Sequence, residues 1–439
     1  VRTHGNGKAR QWEGAAIGRH GNGQAHRERA VRRAGWKAVG RQHSGTGDTF
    51  EGMPHIAGFR GVVPDPSKAA EVLGAPIDIA KGLAAGTLAR DGGRAVYRYH
   101  QTFAGPGRTF TRKSFACAVR LSPYTEGMIR PHETTTKADR EAALARIRAN
   151  RAHMDPVLFG VRDNASEVDR LFRKVEGARP TLELTTPDGT QHKLWRVQDA
   201  EVIGKLRNYF TQLKLHLLEG HASYEAMLAY HDELEAKSPL AMYASANYAL
   251  GFIVPFSDAG IVTASRHRIV TGSTATREQA LAGASKHFIV DKLAGAAGDV
   301  NKLLAALGES VAHQPAFVAV FAGEPDAYKL TLSPEVSPVA EGVNIHRALQ
   351  KYDPVVVQSM FVDRHLPGAQ VSTETDAGRA LASLKAGASV ALLVRPLSLE
   401  QIAHVDELAQ QLPPHSTAFH PALVSGLVNL IIDPDEDLA

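Results

Sequence analysis

The sequence predicts an α+β protein in which mixed sheets are packed by helices. Three observations carry this. The chain has 439 residues, enough for a large core and more than one subdomain, since single cores stop growing beyond roughly 250–300 residues. Its apolar (44%) and charged (22%) fractions are those of an ordinary globular protein. Apolar β-forming runs and helix-like stretches follow one another without the regular alternation of a doubly wound sheet, and without segregating into blocks.

Residues 1–52 stand apart from the rest. They carry ten Lys/Arg and four Asp/Glu, a net of +6, which leaves 40 basic and 42 acidic residues in 53–439, a net of −2. The positive balance of the whole chain therefore belongs to this leader. The body lacks the basic surface that a nucleic-acid partner needs. Rich in Gly, Arg and His and poor in aliphatics, the leader cannot offset the entropy of ordering and is predicted to be disordered, or non-native coding with Met53 as the true start. The body divides into 53–272, which holds the motifs, and a second α+β region over 273–439.

From the N-terminal side, Ala95–Phe103 and Phe115–Leu121 read as strands around a Gly105-Pro106-Gly107 turn. Lys137–Ala152 has helical composition, with Thr136 as N-cap and Asp139 and Glu141 at the positive end; Pro156 closes the segment. A strand follows at Val157–Val161 and a helix at Ala165–Val175. Thr181–Thr186 and Gln191–Val197 form a hairpin around Pro187-Asp188-Gly189-Thr190. Ala200–Lys214 is a helix, Leu215–Leu218 a short strand, and a helix runs from Gly220 to about Ala236. Strands are expected at Tyr248–Val254 and Gly260–Thr263, and two helices within 277–312. A second hairpin pairs Ala316–Ala322 with Ala327–Leu332. The last hundred residues read as helix, strand (Val390–Val394), helix (Leu399–Gln411), a Pro/His/Ser/Thr loop and strand (Leu427–Ile432).

No apolar run approaches the ~18 residues that cross a bilayer, and no signal peptide is apparent, so the expected setting is the cytoplasm. The single cysteine, Cys117, fits a reducing compartment and reads as a buried, inert thiol.

Three polar loops at the ends of apolar strands concentrate the chemistry. In Arg130–Thr136, Glu133 beside His132 forms a base pair of groups, and Thr134 to Thr136 offer hydroxyls at a helix start. In Leu218–Glu225, Gly220 lets backbone approach a ligand, and the N–H groups that follow form an anion site around His221 and Ser223. His221 and Glu225 share a helical face, but two ligands are too few for a metal centre, and none is expected. In Ser265–Arg268, Arg266 and Arg268 flank His267 and suit a phosphate or carboxylate; a solvated basic turn is the competing reading. A fourth loop, Pro413–Thr417, contains His415 and Ser416 and reads equally well as a rigid connection. Walker, dinucleotide-glycine, H-E-x-x-H and G-x-S-x-G patterns are absent from the body.

Taken in order, these loops resemble the bacterial domain-of-unknown-function family numbered 1015. Its proline-His-Glu loop is similar to Arg130–Thr136. Its D-G-H-H-R-Y-E-x-A-x-x-Y segment is similar to Glu219–Tyr230, its Thr/Ser-x-His-Arg loop to Ala246–Val270, and its P-P-K-S-T-x-F-x-P segment to Pro413–Pro421. The resemblance spans residues 54–439. The second of these segments is also similar to the ParB/sulfiredoxin-like superfamily, which includes free serine kinases and binds nucleotide phosphates at a helix start.

The resemblance implies phosphoryl transfer on serine or phosphoserine, with ATP or ADP and Mg²⁺ as cofactors. Glu133 would be the base with His132, the phosphate would meet His221 and Arg268, and Tyr224, Glu225, His415 and Ser416 would support these groups. Here the family's His-Arg is replaced by Ala222-Ser223 and its leading Asp by Glu219. Loss of a charged partner at a buried anion costs about 2–5 kcal/mol. Unless Arg266 substitutes, the site is weakened, altered in substrate or inactive, and the alternative is a non-catalytic nucleotide or metabolite binder. Either reading requires 132–136, 220–225 and 265–268 to converge.

Overall fold

The computed structural model describes residues 55–73, 77–105, 107–311 and 313–438; the leader expected to be disordered and Met53 lie outside these, as does Pro106. The described chain is α+β. A nine-stranded sheet uses Ile56–Ala57 (β1), Val96–Gly105 (β2), Arg108–Arg120 (β3), Ile129–Pro131 (β4), Val157–Val161 (β5), Leu182–Thr185 (β6), Gln191–Val197 (β7), Leu215–Glu219 (β8) and Tyr248–Pro255 (β9). Its order is β4-β8-β5-β9-β3-β2-β7-β6, with β1 pairing β3 beside that path. Most pairs are antiparallel, but β4 runs parallel to β8 and β5 to β9. Strands β5 and β9 are buried along their whole length, because both faces of the sheet are covered and every side chain meets a core. Tyr99, Leu158, Leu250 and Phe252 point into one core; Phe115, Cys117, Phe159 and Ile253 point into the other.

The second sheet is antiparallel throughout. It contains His267–Thr271 (β10), Phe288–Leu293 (β11), Ala316–Phe321 (β12), Ala327–Leu332 (β13), Gln370–Glu374 (β14) and Val390–Val394 (β15), in the order β11-β13-β12-β15-β10-β14. The C-terminal segment then returns to the first body. Ala418–His420 pairs with Val262–Ala264, and Leu430–Ile431 with Ala152–His153.

Two helices bear on the site. Lys137–Asn150 (α1) is capped by Thr136, whose hydroxyl oxygen accepts the Asp139 N–H at 3.1 Å. His221–Glu235 (α2) starts at Gly220. Among the described residues no helix is long and apolar enough to cross a membrane.

Three elements depart from expectation. Residues 277–312 contain the two helices, Arg277–Ala284 and Val300–Gly308, but β11 lies between them. As the sheet's edge strand it carries Asp291 and Lys292 in mid-strand, and these charges hide its alternation. The segment read as a basic loop at Ser265–Arg268 becomes strand at His267. Two buried polar side chains there mask the apolar pattern by which a strand is recognised. The helix expected over Leu399–Gln411 ends at Glu407, and Ala409 takes a left-handed φ of 49°.

Candidate functional site

Strands β4 and β8 are parallel neighbours, with Leu215 opposite Ile129 and Leu217 opposite Pro131, so both chains leave the sheet on the same side. Crevices beyond the carboxyl ends of parallel strands are where open sheets bind ligands. The loop after β4 begins with His132 and Glu133; the one after β8 is Gly220 and the mouth of α2. Gly220 has φ 90°, and a Cβ there would lie 3.0 Å from the Pro156 carbonyl oxygen and 3.2 Å from Val157 Cα. Only glycine turns the strand into the helix at this distance.

A third segment is laid alongside. The Leu412 N–H donates to the His132 carbonyl at 2.8 Å, and the Thr134 N–H to the Leu412 carbonyl at 2.9 Å, extending the sheet in parallel by one bridge. This carries Ser416 and Thr417 over Glu133, whose Oε2 accepts both their N–H groups at 3.1 Å and lies 3.0 Å from Thr417 Oγ1. The pairing of Val262–Ala264 with Ala418–His420 brings in the fourth segment. There Arg266 Nε donates to the Thr417 carbonyl at 2.9 Å.

The four segments enclose a cleft of about 240 Å³, whose walls include Glu133, Glu219, His221, Ser223, Arg266 and His415. Its electrostatics follow from burial. Glu133 is pushed up to about 7 by loss of water, against the opposing pull of the Thr417 hydroxyl, Arg266 and the two amides. Burial also raises Glu219, opposed by Arg112 and Arg266, and leaves its Oε2 without a hydrogen-bond partner. His221 is held well below its ordinary value by burial and by His132, so its ring is neutral; Nδ1 lies 3.7 Å from Glu133 Oε1, and Nε2 is buried and unpartnered. The first N–H groups of α2 have no partner within their own helix. The cleft thus offers backbone donors, a guanidinium and a carboxyl poised between its two protonation states. Among the described residues no three His, Cys, Asp or Glu side chains are grouped as metal ligands.

The family described as "Protein of unknown function (DUF1015)" has a model that matches residues 64–357, which takes in three of the four segments. The chain belongs to the DUF1015 family. No curated protein matches it. Among solved structures, a free serine kinase in complex with AMP is 9% identical with a TM-score of 0.35, over 71% of this chain and 92% of that one. A conserved hypothetical protein from Pyrococcus furiosus is 10% identical (TM-score 0.36; 71% and 95%). SbnI with C-terminal truncation, from Staphylococcus aureus, is 11% identical (TM-score 0.38; 73% and 90%).

In this DUF1015 chain the structure brings Glu133, Thr134, Gly220, His221, Ser223, Arg266 and His415 to one cleft. The other expected residues sit elsewhere. His132 is buried behind Glu133, its Nδ1 bonded to the Leu217 carbonyl at 2.8 Å. Arg268 is 2% exposed; its Nη1 donates to the His415 carbonyl at 2.5 Å and its buried Nε has no hydrogen-bond partner, so one arm of the guanidinium braces the wall. His267 points away, with Nδ1 accepting the Val394 N–H at 3.2 Å inside the second sheet. Tyr224 is fixed under the loop by its hydroxyl, which donates to the Ser122 carbonyl at 2.8 Å. Glu225 accepts from Thr135 at 2.6 Å and pairs with Arg140. Ser416 contributes its amide to Glu133 while its hydroxyl donates to the Pro413 carbonyl at 2.6 Å.

Sequence reasoning missed Thr417, Glu219 and Asp139 as parts of the site. Asp139 lies on the cleft and meets His415 Nε2 at 3.0 Å. Thr417 belongs to the P-P-x-S-T run, where the hydroxyl was visible but its partner, 284 residues away, was not.

Proposed function

We propose that the cleft binds the phosphate of a small hydroxyl-bearing molecule and that the protein is a phosphotransferase or phosphatase acting on serine- or phosphoserine-like substrates. The observation that carries this is one carboxyl, Glu133, set to about 7 on the same cleft as the mouth of α2 and Arg266. A group near its midpoint exchanges a proton with a substrate hydroxyl most effectively at neutral pH. The phosphate is received by the amides of His221, Ala222 and Ser223, whose dipoles favour an anion. Arg266, on the cleft wall, supplies the guanidinium that Ser223 does not, and Thr134 adds a hydroxyl. ATP or ADP is the proposed second substrate; an accompanying Mg²⁺ would be held chiefly by the nucleotide phosphates and would offset their charge.

A second reading, binding without turnover, is favoured by two observations. Glu133 Oε2 already receives two amides and lies against a hydroxyl, and Arg268 is tied to His415. The test is phosphorus NMR of the full chain with ATP, Mg²⁺ and serine, and separately with phosphoserine, with and without ADP. A phosphoserine signal in the first, or its loss in the second, is expected. No phosphate movement in any arm overturns the catalytic reading. Stabilisation of the fold without turnover, about 2.7 kcal/mol at a nucleotide concentration of 100 times Kd, then selects the binding one.

A further inference from the structure

Behind the cleft wall runs a line of three groups whose hydrogens are fixed by valence. The Leu217 carbonyl can only accept, so His132 Nδ1, 2.8 Å away, carries a hydrogen. His132 Nε2 lies 2.8 Å from Thr417 Oγ1, which lies 3.0 Å from Glu133 Oε2. The threonine hydroxyl has one proton and cannot donate to both neighbours. Two arrangements put a hydrogen in both links of the line. In one, Glu133 is protonated on Oε2 and donates to Oγ1, while the hydroxyl donates to Nε2. In the other, Glu133 is ionised and accepts from the hydroxyl, while His132 is doubly protonated and donates to Oγ1. Both contain the same number of protons. Removing one leaves one of the two links without its hydrogen. The carboxylate still has the Ser416 and Thr417 amides, whereas Nε2 has no donor but the hydroxyl. The hydroxyl's single proton therefore decides whether Nε2 is a buried unmet acceptor, which is costly.

We infer that Glu133, Thr417 and His132 form a single proton relay, through which Glu133 passes on the proton that it takes from a substrate hydroxyl. This rests on the phosphoryl-transfer reading above. In the step, the substrate O–H bond breaks and its proton joins Glu133 Oε1, the oxygen turned toward His221 and not held by the amides. The Oε2 proton passes to Thr417 Oγ1, and the original hydroxyl proton passes to the lone pair of His132 Nε2. The freed substrate oxygen forms its bond to phosphorus as the bond to the leaving group breaks. Carboxyl and hydroxyl end neutral, and the positive charge gained by His132 balances the negative charge left on the substrate side. Thr417 and His132 act through Glu133 and are positioning residues. The charged and titratable groups around the line are His221, Arg266 and Arg268 near Glu133, and His216, Asp406 and His221 near His132.

The test is a pH titration by NMR of the full chain labelled in histidine side-chain nitrogen and glutamate carboxyl carbon, with the His132 and Glu133 signals assigned through His132→Gln and Glu133→Gln. The expected result is one pH step that moves the Glu133 carboxyl and His132 Nε2 together. In Thr417→Val the carboxyl still titrates and Nε2 no longer follows it; Thr417→Ser restores the coupling. His132 Nε2 unmoved through the Glu133 step in the unaltered protein overturns the relay, and that measurement needs no variant of Thr417 to fold. Phosphoryl transfer, where present, is expected to fall on the order of tenfold or more in kcat in Thr417→Val, with KM little changed and recovery in Thr417→Ser. Coupled signals without any phosphate transfer leave the relay standing and remove the phosphoryl-transfer reading. Transfer with uncoupled signals does the reverse.

Discussion

Glu133 and His132 are neighbours in sequence with opposite responses to the same burial, the carboxyl pushed up to about 7 and the imidazole down to about 4. Each therefore has its own stability dependence on pH. The Glu133 contribution is fully present below its unfolded value near 4.3 and is lost as pH rises through about 7, a swing of roughly 3–4 kcal/mol. The His132 contribution is present above its unfolded value near 6.5 and is lost as pH falls through about 4. The two oppose each other between about pH 4.5 and 6.5. Glu133→Gln removes only the first, so its stability in urea is expected to fall more steeply on acidification across that window than that of the unaltered chain. Equal slopes would show that Glu133 ionises in its ordinary range. At neutral pH the same variant is expected to lower phosphate transfer on the order of a hundredfold, because the amide cannot take a proton, and the serine assay reads this directly.

At the scale of elements, the turn from β8 into α2 is the least tolerant part of the site. Gly220→Ala places a side chain at φ 90° and within 3.0 Å of a carbonyl oxygen. A loss of about 1–3 kcal/mol in urea unfolding is expected, with weaker binding of inorganic phosphate. Thr136→Ala, at the start of α1, is expected to cost about 1 kcal/mol by the same measurement, through the lost cap. These helices and β8 were legible because their patterns are local: a Thr-x-x-Asp cap, a glycine after an apolar run, a buried strand bounded by turns; the three-residue β4 lay inside a segment read as a loop. Strands β10, β11 and β14 were not, since two of them lie at sheet edges where charge is favoured and the third carries buried His267 and Arg268. A side chain whose partner lies hundreds of residues away leaves no periodic trace.

For the whole molecule, three of the four loops were expected to converge from the kind of residue in each; the fourth, Pro413–Thr417, read equally well as a rigid connection, and the roles within all four were not legible. Arg268 looks like a phosphate fork in sequence and is a wall brace in space; His132 looks like a surface base and lies inside. What decides between these is the path of the C-terminal segment, on which sequence alone is silent. That segment also holds Phe419, Leu427, Leu430 and Leu438 in the first core. At roughly 1.5–3 kcal/mol for each buried side chain, their combined loss is comparable with the entire stability of a typical domain. A chain ended at Gln411 is therefore expected to lose its cooperative urea transition, and a retained sharp transition would show that the first sheet stands without it.

The bridge between Leu412 and Glu133 also has a consequence for synthesis. A nascent chain leaving the ribosome carries the residues of β4, β8 and α2 long before Thr417 is made, and in that interval Glu133 has neither of its two amides nor its hydroxyl neighbour. The cleft's last wall is therefore supplied only when residues 412–420 have been translated, so the candidate site and the first core are completed by the same segment.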